Sequence, residues 1–143
     1  MPRAPRLAAL ILALSAGAAT AAVHDAALKA EMKQIVDPAS NTLFSVGGDV
    51  DPANGPDAAK VPAARWTEAA VAAGKLKAEG QALVAGKYGK PEGTWQAESE
   101  KMAAIAAAAE KSARAHDGAG LSKAANDLSD VCSACHGKYK EQS

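Results

Sequence analysis

Apolar residues recur along most of the chain at spacings of three and four, which is the period of an amphipathic α-helix. The first such stripe follows Asp25 and comprises Leu28, Met32, Ile35 and Val36. Proline lacks a backbone N–H and disfavours helix in the residue before it, so Asp37-Pro38 predicts a kink or a restart. In that interpretation Asp37 caps a second helical piece, whose apolar residues are Leu43, Phe44 and Val46.

Three further helices are predicted, and segments rich in glycine and proline separate them. After a linker at 47–62, helix 2 covers about 63–85, with the stripe Trp66, Ala69, Ala73, Leu76, Gly80 and Leu83. A second break at 86–93 precedes helix 3, for which Thr94 is the predicted N-cap. Helix 3 ends near 117–118, and its stripe is Trp95, Met102, Ile105 and Ala109.

The last helix extends from about Leu121 into the C-terminal tail, and its predicted inward residues are Leu128, Val131 and Cys135. Each of the four helices has ~15–25 residues, and helices joined by short or medium loops pack as antiparallel neighbours. The fold class predicted from the pattern is therefore all-α, an antiparallel four-helix bundle.

The first 21 residues are predicted to be a secretory signal peptide. Two arginines precede an apolar stretch at about 7–19, and Ala19-Thr20-Ala21 matches the A-x-A pattern of a cleavage site. The apolar stretch is shorter than the ~20 residues that span a bilayer. Cleavage after about Ala21 or Ala22 leaves one domain at 22–143, so we expect an exported protein that does not span a membrane after processing.

The composition is that of a globular chain poor in aromatic residues. Hydrophobic residues make up 48% and charged residues 22%, whereas aromatic residues make up only 3%. Alanine is frequent, and it favours helices but fills little space, so a buried prosthetic group would supply apolar bulk that the core lacks. Lysine plus arginine and aspartate plus glutamate are equal at 16 each, which argues against a nucleic-acid-binding protein.

The segment Cys132-Ser133-Ala134-Cys135-His136 has the form C-x-x-C-H, which is a signature of covalent haem attachment. On a helix, residues at i, i+3 and i+4 share a face, so the two thiols and the imidazole point the same way. The thiols can then bond the two haem vinyl groups while His136 reaches the iron as the proximal ligand. We therefore predict one covalent haem c on the C-terminal helix, attached through Cys132 and Cys135.

The sequence leaves three other interpretations of the cysteine pair open. A disulfide between Cys132 and Cys135 would close only a very short loop. A thioredoxin-like dithiol requires a βαβ context, which the pattern lacks. A zinc site requires four ligands, and neither His24 nor His116 is spaced like a partner. The sequence has no recognisable nucleophile–base pair, paired carboxylates or phosphate-binding glycine loop, so no enzymatic activity is predicted.

The position of the motif in the last helix, followed by Gly-Lys-Tyr139-Lys140, resembles the closing segment of the class II cytochromes c. This family includes cytochrome c′ and its methionine-ligated low-spin relatives, and the resemblance covers essentially the whole chain after the signal peptide. It implies a haem between the helices of an antiparallel bundle, a periplasmic location and, often, homodimers. In the low-spin relatives a methionine of the first helix is the distal iron ligand, and here that residue is Met32.

The resemblance implies one of two functions. With His136 and Met32 both bound, the iron would exchange single electrons with periplasmic redox partner proteins, and an axial methionine raises its reduction potential. With His136 alone bound, Met32 would line an apolar pocket for nitric oxide or carbon monoxide. Many cytochromes c′ have an arginine where this chain has Leu28, although Lys29 and Lys33 remain available for the haem propionates. Electron transfer is the prediction, and gas binding is the alternative.

Overall fold

The computed structural model describes residues 26–88 and 93–140; the predicted signal peptide at 1–21 lies outside them. All regular structure in the described ranges is helical, with no strand. The long helices are α1 at 26–49, α2 at Ala63–Val84, α3 at Gly93–Ala115 and α4 at Gly118–Tyr139. No helix of this described part is long and apolar enough to cross a membrane. The all-α prediction is confirmed.

The four helices pack against one another around a core of aliphatic side chains. α2 packs against α3, α3 against α4, and α1 against both α2 and α4. The predicted stripe of α2 is buried throughout, and Trp95 and Met102 of α3 are buried as predicted. The largest fully buried side chains are Leu43, Leu76, Leu121, Leu128, Val46 and Val50.

Small residues bring the helix backbones close together. A Cβ on Gly80 of α2 would lie 2.8 Å from the backbone nitrogen of Ala103 in α3. A Cβ on Gly47 of α1 would lie 2.6 Å from the Cβ of Ala125 in α4. Both distances are shorter than a packed Cβ allows, so these crossings depend on glycine.

Of the kink or restart predicted at Asp37-Pro38, the restart does not occur. The segment Met32–Val36 is π-helical, and the α-helix Asp37–Asp49 continues directly from it. The backbone N–H of Asp37 donates to the carbonyl of Met32, so Asp37 is a helical residue and not an N-cap. A proline ring clashes with the carbonyl four residues earlier in an ordinary α-helix, and the wider π turn relieves that clash.

The predicted linker at 47–62 begins later than predicted, because α1 continues to Asp49. The segment Pro52–Lys60 consists of 3₁₀-helical turns that are interrupted at Gly55, whose φ is 69°. The carboxylate of Asp51 caps this segment by accepting from the backbone N–H of Ala53 at 2.8 Å. The same side chain accepts a hydrogen bond from the hydroxyl of Ser122 at 2.9 Å and so connects the segment to α4.

Two helix ends also differ from their predictions. Thr94 lies inside α3 and does not cap it, because the helix already begins at Gly93. The last helix begins three residues before the predicted Leu121, since Asp117 caps it by accepting from the N–H of Gly120 at 3.0 Å. Between the two helices His116 has a left-handed backbone, with φ of 54°, and its ring stacks on Trp66 at 4.9 Å.

Candidate functional site

A cavity of about 820 Å³ lies between α1 and α4, with one wall from α3. Small-molecule sites usually have volumes of about 300–1,000 Å³. All four predicted site residues line it, which brings the C-x-x-C-H motif and Met32 together. The lining residues are Leu28, Lys29, Met32, Lys33, Val36, Asp37, Ser40, Asn41, Phe44, Trp95, Cys132, Cys135, His136, Tyr139 and Lys140.

α4 contributes the motif residues from one helical face. Cys132 and Cys135 are half-buried and not joined in a disulfide, and His136 is exposed at the cavity mouth. Burial raises the pKa of the Cys132 thiol above its usual range. The side chains are therefore two thiols and an imidazole that face one common space, as their i, i+3, i+4 spacing predicts.

α1 contributes a row of side chains at every fourth position: Leu28, Met32, Val36, Ser40 and Phe44. Met32 is half-buried and Val36 is buried. Ser40 and Phe44 were not predicted as site residues, because the kink or restart predicted at Asp37-Pro38 separated them from Met32. The signal that would have found them is the four-residue spacing itself, which continues through the proline.

Aromatic residues are concentrated at this cavity. The whole chain has one phenylalanine, two tryptophans and two tyrosines, and the cavity is lined by Phe44, Trp95 and Tyr139. Trp95 is only 3% exposed and meets Tyr139 edge to face, with ring centroids 5.2 Å apart. Three of the five aromatic side chains thus form the walls of one space, which favours a large flat apolar occupant.

Charged side chains at the cavity are mostly cationic. Lys29, Lys33 and Lys140 line it, and among the described residues Asp37 is the one carboxylate in the lining. Lys123 also lies on α4, but it forms an ion pair with Asp127 and does not line the cavity. The excess of ammonium groups suits an occupant that carries carboxylates at one edge.

The hydroxyl of Ser40 is a buried polar atom that the protein leaves unpaired. Ser40 is 6% exposed, and its Oγ has no hydrogen-bond partner among the described residues. An unpaired buried hydroxyl is costly, and such groups usually mark a place where water or a ligand binds. Together the groups of the cavity fit a haem. The two thiols can form its two thioether bonds, the imidazole and the Met32 sulfur face its iron, and the lysines suit its two acidic side chains.

A carboxyl pair lies next to the α1 side of the cavity. Lys87 Nζ lies 3.5 Å from Glu31 Oε1 and 3.6 Å from Glu79 Oε2. Burial raises the pKa of Glu79, and the adjacent Glu31 carboxyl raises it further, while Lys87 lowers it. Glu31 directly precedes Met32, so this cluster borders the start of the π turn.

The described residues contain no group of three or more His, Cys, Asp and Glu side chains that could hold a metal ion. No protein-family model, curated protein or solved structure matches the chain. The case for a function therefore rests on the residues of the cavity.

Proposed function

We propose that the protein is a periplasmic c-type cytochrome that carries one covalent haem c and transfers single electrons. The observation that carries the proposal is the cavity, because Met32 of α1 lines the same space as Cys132, Cys135 and His136 of α4. A shared space between these residues is what a haem with ligands from two helices requires. The predicted signal peptide supports export to the periplasm, where redox partner proteins would exchange the electrons.

We further propose that the four packed helices form an antiparallel bundle of the class II cytochrome c type. Contacts between the end of one helix and the start of a neighbouring helix support this arrangement. Asp49 at the end of α1 pairs with Arg65 near the start of α2, at 2.6 Å. Lys138 near the end of α4 donates to Thr94 near the start of α3, at 2.7 Å. The resemblance also implies a homodimer, which is the assembly that we propose.

In this proposal each site residue has a defined task. Cys132 and Cys135 form the two thioether bonds, His136 is the proximal ligand and Met32 is the distal ligand. Haem, when bound, supplies an iron centre that alternates between the ferric and ferrous states. The thioether of Met32 favours the ferrous state and so raises the reduction potential. Two protein ligands also keep the coordination unchanged during electron transfer.

Other lining residues shape the environment of the iron. Leu28, Val36 and Phe44 exclude water from the distal side because they present only hydrocarbon. Lys29 and Lys33 would bind the haem carboxylates. Neither ammonium group forms an ion pair with another residue in the described part of the chain, so both gain a counter-charge when haem binds.

The test is the visible absorption spectrum of protein produced with a haem-maturation system. We expect a covalent haem with sharp low-spin bands and, in the oxidised form, a weak methionine–iron charge-transfer band. Met32→Ala should remove that band and give a high-spin spectrum. Met102→Leu is the matched control, because Met102 is buried on α3 outside the cavity lining. An unchanged Met32→Ala spectrum would refute the ligand assignment, and a chain without covalent haem would refute the whole proposal.

Gas binding is the second candidate, and the apolar distal wall favours it. Leu28, Val36 and Phe44 form a surface that suits an uncharged diatomic molecule such as nitric oxide or carbon monoxide. If Met32 only lines the pocket, the reduced native protein should have broad high-spin bands and bind carbon monoxide tightly. A native protein that does not react with carbon monoxide would exclude this function.

A further inference from the structure

α1 presents two adjacent rows of side chains to the cavity, and those of the row that contains Met32 have a spacing that a regular α-helix cannot keep on one face. They recur every four residues from Leu28 through Met32 to Phe44. An α-helix turns about 100° per residue, so each step of four overshoots a full turn by about 40°. Over the four steps the row would drift by about 160°, which exceeds the ~100° width of a typical buried face.

The π turn compensates for this drift. Within Met32–Val36 the N–H of Asp37 bonds to the carbonyl of Met32, five residues back, so the turn contains one residue more than an α-helical turn. That extra residue takes up about 100° of rotation. The remaining drift of about 60° fits within one helix face, and both Met32 and Phe44 line the cavity.

Pro38 is the residue whose chemistry favours such a turn. In an α-helix its ring would clash with the carbonyl of Gln34, and Gln34 lies inside the π-helical segment. Pro38 itself is exposed and does not line the cavity. Its influence on the site therefore passes through the backbone and not through contact with an occupant.

The geometry points to Pro38 as a positioning residue that enforces the π turn and thereby holds Met32 on the cavity face of α1. This inference deepens the proposed function, on which it rests for the contact between Met32 and iron. Without the proline, α1 can close into a regular α-helix. Residues 26–32 then rotate by about 100° relative to the rest of the helix, and Met32 leaves the cavity.

The test combines a substitution with a compensating deletion in the haem-loaded protein. Pro38→Ala should abolish the methionine–iron band and allow the reduced protein to bind carbon monoxide. Deletion of the exposed Gln34 in the Pro38→Ala background removes the extra residue, so a regular α-helix again directs Met32 into the cavity. The double variant should regain the band and lose carbon monoxide binding. Pro62→Ala is the control, because Pro62 precedes α2 and its substitution should leave both readouts unchanged.

A second measurement separates this inference from the proposed coordination. Proton NMR contacts between the Met32 methyl group and the haem ring protons report where Met32 points, whether or not it binds iron. We expect these contacts in the native protein, their loss in Pro38→Ala and their return in the double variant. The role of Pro38 would be overturned if the NMR contacts and the methionine–iron band both persisted in Pro38→Ala. It would also be overturned if the double variant recovered neither of them. If the native protein showed the NMR contacts of Met32 but no methionine–iron band, this result would instead refute Met32 as the iron ligand.

Discussion

Two glycines of α2 allow the close packing of α2 on α3 to be measured directly. Gly80 faces Ala103, and an added Cβ would lie 2.8 Å from its backbone nitrogen and 2.9 Å from its Cβ. Gly74 lies in the same helix, and an added Cβ there would meet nothing within 4 Å. Gly80→Ala and Gly74→Ala are therefore the same chemical change in a tight site and in an open site.

The expected magnitudes follow from these two environments. Alanine is favoured over glycine in a helix interior by about 0.8–1.0 kcal/mol, so Gly74→Ala should stabilise the protein by roughly that amount. Gly80→Ala has the same gain, but it forces two backbones apart, and overpacking of this kind costs about 1–3 kcal/mol. Because both substitutions gain the same helix propensity, this gain cancels when the stabilities of the two variants are compared. Gly80→Ala should thus be less stable than Gly74→Ala by about 1–3 kcal/mol.

The assay is equilibrium chemical denaturation of the haem-loaded variants, followed by far-ultraviolet circular dichroism. Both glycines lie outside the cavity lining, so the absorption spectra should match the native spectrum and confirm that haem content is equal. Equal free energies of unfolding for the two variants would refute the close approach of α2 and α3 at Gly80.

Two further predictions concern titratable groups. Because burial and then Glu31 raise the pKa of Glu79, the folded state is disfavoured increasingly as the pH rises above the ordinary carboxyl pKa of about 4.3. Glu79→Gln should raise the unfolding temperature at neutral pH and leave it nearly unchanged below about pH 4, and an equal shift at both pH values would contradict this reasoning. Burial also raises the pKa of Cys132, so in haem-free Cys135→Ser protein its alkylation rate should rise with a midpoint above the ordinary cysteine value of about 8.5. A midpoint at or below that value, measured by mass spectrometry, would argue against burial of this thiol.

The regular parts of the fold could be predicted from the sequence because one physical pattern controls them. The stripe from Trp66 to Leu83 has helical spacing over a whole segment, and Pro62 marks its start, so α2 lies within a residue or two of its prediction. The motif from Cys132 to His136 likewise lies on one face of α4, since the i, i+3, i+4 rule needs only a local helix. Such predictions depend on neighbouring residues alone.

The parts that could not be predicted depend on competition between local rules. Pro38 normally ends or kinks a helix, but here the turn before it widens and the helix continues. No single-sequence pattern says which response wins, because the outcome depends on packing of α1 against α2 and α4. The contribution of Ser40 and Phe44 to this cavity likewise depends on tertiary packing. Spacing within a helix does not indicate which other helix it meets.

The two tryptophans lie in separate surroundings, and this makes the chain convenient to label. Trp95 lines the cavity, whereas Trp66 stacks on His116 beside the start of α4 and lines a different pocket. The chain has no third tryptophan, so biosynthetic fluorotryptophan yields a fluorine NMR spectrum of two signals. The Trp95 signal would follow incorporation of the proposed haem, and the Trp66 signal would follow the junction between α3 and α4. Maturation and folding can thereby be timed separately within a single sample.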